Sequence, residues 1–377
     1  MDEAFWTAVG FKRSMRVLAM ASFPREAAAT RFRVEQFISP LADRGIEMSL
    51  SPFLESRDFV RFYNRGNALA KAGAAVRGTA RRIGEIFLAK RFDLVFIQRE
   101  AMFFGPEIFE RLMSLAGNIP FVLDLDDATY VPYRSPTYGR LGSAFKFFGK
   151  TDRMISASAA VTCGNRFIAE YVESRNRQAA IIPTVADTEK FVPIETENDP
   201  PIIGWIGTHS TFPSVEWLFP VLSRLARNHR FILKIVGAPR RDVEVPGVDV
   251  INLPWSLERE IEDFQSVDIG LYPIAPSTSA NQEWLRGKSG FKAVQYMAAG
   301  VPFVMSPVGV CAEMGDVGKT HLNAETEEDW YNSLDRLLGD AGLRQRMGKS
   351  GREHSLDNYT VEKQADILAG VFWKAAD

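Results

Sequence analysis

The stretch RGKSGFKAVQYMAAGVPFVMSPVG, residues 286–309, runs from a basic, glycine-flanked turn into a helical pattern and from there into a strand. Phe291 to Ala299 is rich in small and apolar side chains, Gly300 ends the run, and Val301–Met305 reads as a short buried strand. A helix leading directly into an apolar strand is half of a βαβ unit, and the neighbouring sequence supplies the rest. Pro201–Ile206, Phe231–Val236, Val248–Leu253 and Ile269–Tyr272 read as strands, with helices near Ser214–Arg227, Leu257–Gln265 and Glu327–Leu338. The same alternation fills the first half, with strands at Met15–Ala21, Glu47–Ser51, Leu94–Ile97, Pro120–Leu123 and Ala160–Thr162 and an amphipathic Arg31–Arg44 closed by Gly45. It pauses at Ile182–Pro201, where Pro183, Pro193, Pro200, Pro201 and the polar run ETEND mark a linker. The expected architecture is α/β: an extension over 1–14, one domain over 15–190, a second over 191–358, and a closing helix over 359–377. Val361, Ala365, Leu368 and Phe372 share one side of that helix.

Composition agrees. At 377 residues the chain is long enough for two domains, and 46% hydrophobic with 24% charged residues is ordinary globular usage. Its two cysteines, Cys163 and Cys311, form no CxxC pair, which argues against a zinc site and predicts a reducing compartment. Forty-five basic against 47 acidic residues leave a net charge of −2, so attraction to any polyanion has to be local. No apolar run of about 18 residues is present and Met1–Ser14 lacks a signal-peptide stretch, which predicts a cytoplasmic protein. The four histidines, His209, His229, His321 and His354, form no HxxxH pair, and GxSxG, GxxxxGK[ST] and HExxH are missing.

Several features carry chemistry. Gly207, Thr208 and His209 follow the apolar run Ile202–Ile206 as a strand-to-helix turn, where glycine lets backbone N–H groups approach a phosphate. Such a turn also needs glycine without any ligand. Arg286 and Lys288 precede a helix whose Lys292 lies four residues beyond Lys288; two lysines on one face of a helix start repel each other and suit an anion, although a solvated basic turn has the same spacing. Asp124, Asp126 and Asp127 follow a strand at the end where open α/β sheets take their ligands, and crowded carboxylates raise one another's pKa, which suits acid–base work. An Asp there also serves as a helix cap. Arg31 and Arg33 open the first helical stretch and are candidates for a phosphate or acceptor contact, or for a solvated face. Residues 61–91 hold Arg61, Arg65, Lys71, Arg77, Arg81, Arg82, Lys90 and Arg91 against the single acid Glu85. With Leu69, Val76, Ile83, Ile86 and Phe87 interleaved, this basic amphipathic segment suits an anionic membrane surface, and equally a solvated helix. No nucleic-acid motif accompanies it.

Together IIGWIGTHST (202–211), FILKIVG (231–237) and above all residues 286–309 resemble the GT-B glycosyltransferases, specifically the retaining family 4, or group 1, enzymes. DLDDATY (124–130), TCGNRFIAEYV (162–172) and IIPTVADTEKFVP (181–193) look like further segments of that family. The resemblance implies two Rossmann-like domains facing each other across a cleft, with the closing helix crossing back to the first. It implies a nucleotide-sugar donor on the C-terminal domain, a glycan or lipid-linked acceptor on the N-terminal one, and transfer with retention, as in polysaccharide biosynthesis. No metal or other cofactor is implied, because Arg286, Lys288, Lys292 and the turn at Gly207–Thr208 would neutralise the diphosphate. Gly287 and Gln295 stand where many members carry Glu-x7-Glu; Gln295 retains a group able to bind a sugar hydroxyl. Thr208 stands where an Arg is usual, and no N-terminal histidine matches the family's, so Asp126 or Asp127 would have to serve. Those departures keep open a non-catalytic GT-B subunit, and an epimerase of the same plan is a third reading. A nicotinamide dehydrogenase is excluded, because Ser22–Thr30 contains no glycine.

Overall fold

The computed structural model describes residues 14–63, 66–132, 146–175, 177–194, 198–275 and 282–377. Residues 1–13 of the expected extension, Arg65, the side chain of Arg61, and 195–197 of the expected linker lie outside the described residues. The chain divides into two compact units: Met1–Pro183 with Glu362–Asp377, and Thr184–Val361.

The first unit holds a parallel sheet of β1 (Met15–Ala21), β2 (Ile46–Pro52), β3 (Leu94–Gln98), β4 (Phe121–Leu125), β5 (Ala160–Cys163) and β6 (Ala179–Ile181), in the order β2-β1-β3-β4-β5-β6. Every side chain of β3 and β4 is buried, whereas β2 at the edge alternates, which is why the central strands read as continuous apolar runs. The second unit holds β7 (Ile202–Ile206), β8 (Ile232–Val236), β9 (Asp249–Leu253), β10 (Ile269–Tyr272), β11 (Phe303–Met305) and β12 (Leu322–Asn323), in the order β12-β11-β10-β7-β8-β9 and parallel throughout. One buried layer gathers around Trp205 and Trp330 and another around Tyr296, Phe303 and Phe264. In this sheet strand order reverses between the neighbours β7 and β10. Open α/β sheets bind ligands beyond the carboxyl ends of the strands at such a reversal.

Several elements differ from the sequence reading. The expected Arg31–Arg44 helix is two, Ala28–Arg33 and Ile38–Ala42, joined by a 3₁₀ turn at Glu35–Phe37, because Val34 leaves the helical region at φ −127°. The expected Ser214–Arg227 helix is also two, Phe212–Glu216 and Phe219–Leu225. Pro213 and Pro220 each sit in a first turn, where the missing N–H costs nothing. The Ala341–Asn358 helix, unread in the sequence, packs through Gly348 and Gly351 against Gly300 and Met297. The unit boundary falls at Pro183/Thr184 instead of 190/191, because Ala186 and Phe191 belong to the second core and Arg352 donates to the carbonyls of Thr188 (2.8 Å) and Phe191 (2.6 Å).

The last helix, Val361–Ala376, belongs almost entirely to the first unit. Its buried Phe372 meets Phe96 of β3 edge-on at 5.1 Å between ring centroids, and Asp366 accepts from Arg44 at 2.6 Å. Among the described residues no helix is long and apolar enough to cross a membrane.

Candidate functional site

At the reversal point of the second sheet, β7 runs into Gly207, Thr208 and His209. The Gly207 N–H donates to the Val236 carbonyl at 3.0 Å, which ties this turn to the one after β8. There Gly237 has φ +87°, and a Cβ on it would lie 2.2 Å from the Gly207 carbonyl oxygen, so only glycine lets the two turns meet. Thr208 and His209 are exposed. The Thr208 hydroxyl pairs with that of Ser210 at 2.9 Å, and its carbonyl accepts from the amides of Thr211 and Phe212 at 3.0 Å each.

The neighbouring strand β10 ends at Tyr272, and the Lys292 ammonium lies 5.7 Å from the centroid of that ring. Lys292 is thereby held beside the carboxyl end of the strand next to the Gly207 turn in the sheet. Burial pushes the adjacent Cys311 thiol up to about 12, against a Tyr272 hydrogen bond and the Lys292 charge, so it is an inert thiol and no nucleophile. Lys288 stacks its ammonium 3.5 Å over Trp284, from the Gln282–Arg286 helix whose last residue, Arg286, is exposed.

One sequence expectation changes here. Lys288 and Lys292 do not share a helical face, because Gly290, at φ +65°, interrupts the backbone and the helix begins at Phe291. Lys288 approaches from the preceding turn and Lys292 from the first turn of the helix. Gln295 is 4% exposed within the buried run Ala293–Ala299.

In the first unit the carboxylates after β4 are internally engaged. Asp124 is fully buried and accepts from Arg33 Nε and Nη2 and from the Thr162 hydroxyl. Arg33, 2% exposed, also donates to the Ile182 carbonyl at 2.5 Å, which corrects its reading as a phosphate or acceptor contact: an arginine enclosed in this way holds β4 to the segment after β6. Arg31 lies over the Phe32 ring at 4.7 Å and donates to the carbonyls of Arg25 and Glu26, bracing the loop after β1. Asp126 accepts from Arg99 Nε at 2.5 Å and Nη2 at 2.7 Å, and Asp127 from the same Nη2 at 2.9 Å.

Burial opposes ionisation of Asp126, yet the Arg99 guanidinium, with help from Arg33, holds its carboxyl below the usual carboxylate range. Crowding was expected to raise a pKa here, and the interposed arginines reverse the sign. Asp126 is a permanent anion, unsuited to general-acid work, whereas Asp127 is half-buried at the rim. Arg99, Tyr272 and Trp284 escaped the sequence reading. Only Arg99 left a signal, as a charge directly after an apolar strand; it adopts φ +62°, a left-handed conformation that costs a non-glycine residue about 1–2 kcal/mol and that its ion pairs offset. Among the described residues no three His, Cys, Asp or Glu side chains gather to hold a metal ion.

The family model described as "Glycosyl transferases group 1" matches residues 200–340, which span the Gly207 turn, Arg286, Lys288 and Lys292. The second unit is a group 1 glycosyltransferase domain. No curated protein matches the chain by sequence. Solved structures similar to the whole chain include a glycosyltransferase from Rickettsia africae (TM-score 0.68, 13% identity, 96% of this chain and 98% of that one). A sucrose-phosphate synthase from Thermosynechococcus elongatus is similar at TM-score 0.67 and 13% identity, over 96% and 98% of the two chains. Anabaena HepE, solved with UDP and glucose, is similar at 0.64 and 12%, over 94% and 98%. The architecture is GT-B, two parallel six-stranded sheets each covered by helices, with the glycosyltransferase domain on the second.

Proposed function

We propose that this glycosyltransferase takes a nucleoside-diphosphate sugar on its second unit and moves the sugar, with retention at the anomeric carbon and without a metal, to a glycan or lipid-linked acceptor on its first. The observation that carries the reading is that Lys292 stands beside Tyr272 at the end of β10, next to β7 at the reversal, with Lys288 over Trp284 in the turn before Gly290, both inside the matched span. Charge develops on the diphosphate as the sugar leaves, and cations held in advance near that point lower the barrier without reorganisation. Arg286, the Gly207 turn and His209 complete the donor set in this reading. Asp127 is the carboxylate left at the rim of the acceptor side, and the leaving phosphate itself takes part in deprotonating the acceptor. The UDP and glucose of the Anabaena structure fit the same donor class. We place the work at the cytoplasmic face of a membrane, in polysaccharide assembly, with residues 61–91 nearest the lipid.

Gly287, which offers no side chain to the donor, favours a second reading, a subunit that binds a sugar nucleotide without turning it over. One experiment separates the two. Thermal shifts are recorded with a panel of nucleoside diphosphates and their sugars, with and without EDTA, followed by nucleotide release with candidate acceptors. A ligand at a hundred times its Kd adds about 2.7 kcal/mol of stability. The expected result is an EDTA-insensitive shift with one nucleotide family, lost in Lys292→Ala, whose own melting point is unchanged and whose transfer falls by about 10²–10³. Full turnover in Lys292→Ala overturns the donor assignment; binding that never releases nucleotide favours the non-catalytic subunit.

A further inference from the structure

The basic segment ties much of its charge into ion pairs, although Arg77 itself stays exposed. Arg77 pairs with the buried Asp58 at 2.7 Å, and Arg81 with Glu55 and the Pro52 carbonyl. Arg82 is fully buried and gives its five donors to Ala101, Glu85, Ala21 and Ser51. What the Ala68–Leu88 helix shows outward is apolar: Leu69 is 91% exposed, Val76 69%, Ile83 46% and Phe87 82%. Spacings of seven, seven and four residues set these four on one stripe. The Ile108–Gly117 helix packs beside it and carries the exposed Leu112 and Leu115, the latter 77% exposed. Soluble surfaces scatter such residues singly; four on one stripe, with two more on the helix packed beside it, mark an interaction surface.

The charge around the stripe selects its occupant. Glu85 and Glu110, the acids of these two helices, are buried, as is Glu107 just before the second. The exposed charges from Ala68 to Arg91 and from Ile108 to Asn118 are cations, Lys90, Arg91 and Arg111 among them. An apolar face with a cationic fringe and no exposed acid on either helix, the nearby exposed Asp93 being paired with Arg16, matches the boundary between acyl chains and anionic headgroups.

We propose that these two helices dock the first unit on an anionic lipid surface by inserting the apolar stripe, with Lys90, Arg91 and Arg111 against the headgroups. This rests on the membrane-facing reading above and changes its physics: insertion holds the protein, and the arginines at 77, 81 and 82 do not. Binding therefore survives salt that screens surface charge.

The test uses the whole chain and vesicles of phosphatidylethanolamine with phosphatidylglycerol, with no donor or acceptor present, so its outcome is independent of transfer. Co-sedimentation is expected at low salt and at about 0.5 M salt, where the Debye length is about 4 Å. The triple variant Leu69→Ser, Phe87→Ser, Leu115→Ser, exposed at every site and expected to melt as the parent does, should lose at least about tenfold in partitioning at both salts. Lys90→Gln with Arg91→Gln should lose only the low-salt excess. As a second readout, the emission of Phe87→Trp should shift to the blue on vesicles at high salt. Failure to bind at low salt, parent binding that disappears at high salt, or a parent dimer that the serine variant dissolves while vesicles stay unbound would each overturn the proposal.

Discussion

A residue's neighbours decide what its chemistry becomes. Three aspartates within four positions promised raised pKa values, and Arg99, 27 positions away, reverses that for Asp126 with help from Arg33, which itself pairs with Asp124. His321 carries a testable consequence of the same kind. Burial lowers its pKa to about 4, and its ring stacks on Phe303 with the centroids 5.3 Å apart. The folded state thus binds this proton more weakly than the unfolded chain, whose histidine titrates near 6.5. Stability contributed by the neutral ring is complete above about pH 6.5, falls as pH drops toward about 4, and levels off below, for a total of about 3 kcal/mol. Denaturant titrations across that window should show the slope, and His321→Gln should flatten it; an unchanged slope in the variant would place the proton uptake elsewhere.

At the scale of elements, the apolar runs announced the central strands, because strands buried on both faces carry no polar alternation to dilute the signal. Elements that pack through glycine or pair by only two or three residues stayed silent: the Ala341–Asn358 helix, β6 and β12. The turn that opens the Phe291–Ala298 helix is where local geometry meets the donor site. A Cβ on Gly290 would lie 2.7 Å from Met314 Sδ and 2.9 Å from Val310 Cγ1, at φ +65°. Gly290→Ala is expected to cost about 1–3 kcal/mol and to shrink the nucleotide-induced thermal shift, because it moves Lys288 relative to Lys292. Gly84→Ala, with nothing within 4 Å of the added Cβ inside the Ala68–Leu88 helix, serves as the control and should stabilise by about 0.5–1 kcal/mol. Equal effects from the two variants would deny the Gly290 turn its special role.

At the scale of the whole molecule, the first unit is built from both ends of the chain. Ala365, Leu368 and Phe372 of the last helix are buried, and Phe372 lies against Phe96 in the centre of the first sheet. Removing residues 362–377 should therefore destabilise the first unit selectively. Calorimetry of the truncated chain is expected to show its first-unit transition moved down or lost while the second unit melts as before. A transition lowered in the second unit instead would contradict the assignment of this helix. The proline-rich run marked the border only approximately, because composition reports where regular structure stops and not which core the chain then joins. Residues 184–191 carry linker signals and yet lie in the second core, with Ala186 and Phe191 packed there.

The sequence by itself determined the α/β class, the two-unit plan, the closing helix and the basic glycine-flanked turn before Phe291, since each is written in local periodicity or in residues that permit one backbone shape. Only the tertiary structure decided which charges are available. Arg33, Arg82 and Asp126 are indistinguishable from surface residues in a linear reading, because the partners that neutralise them lie in other strands and loops. The outward apolar stripe on the Ala68–Leu88 helix is the converse. Amphipathic periodicity states that a helix has two faces, and only packing states which of them is covered.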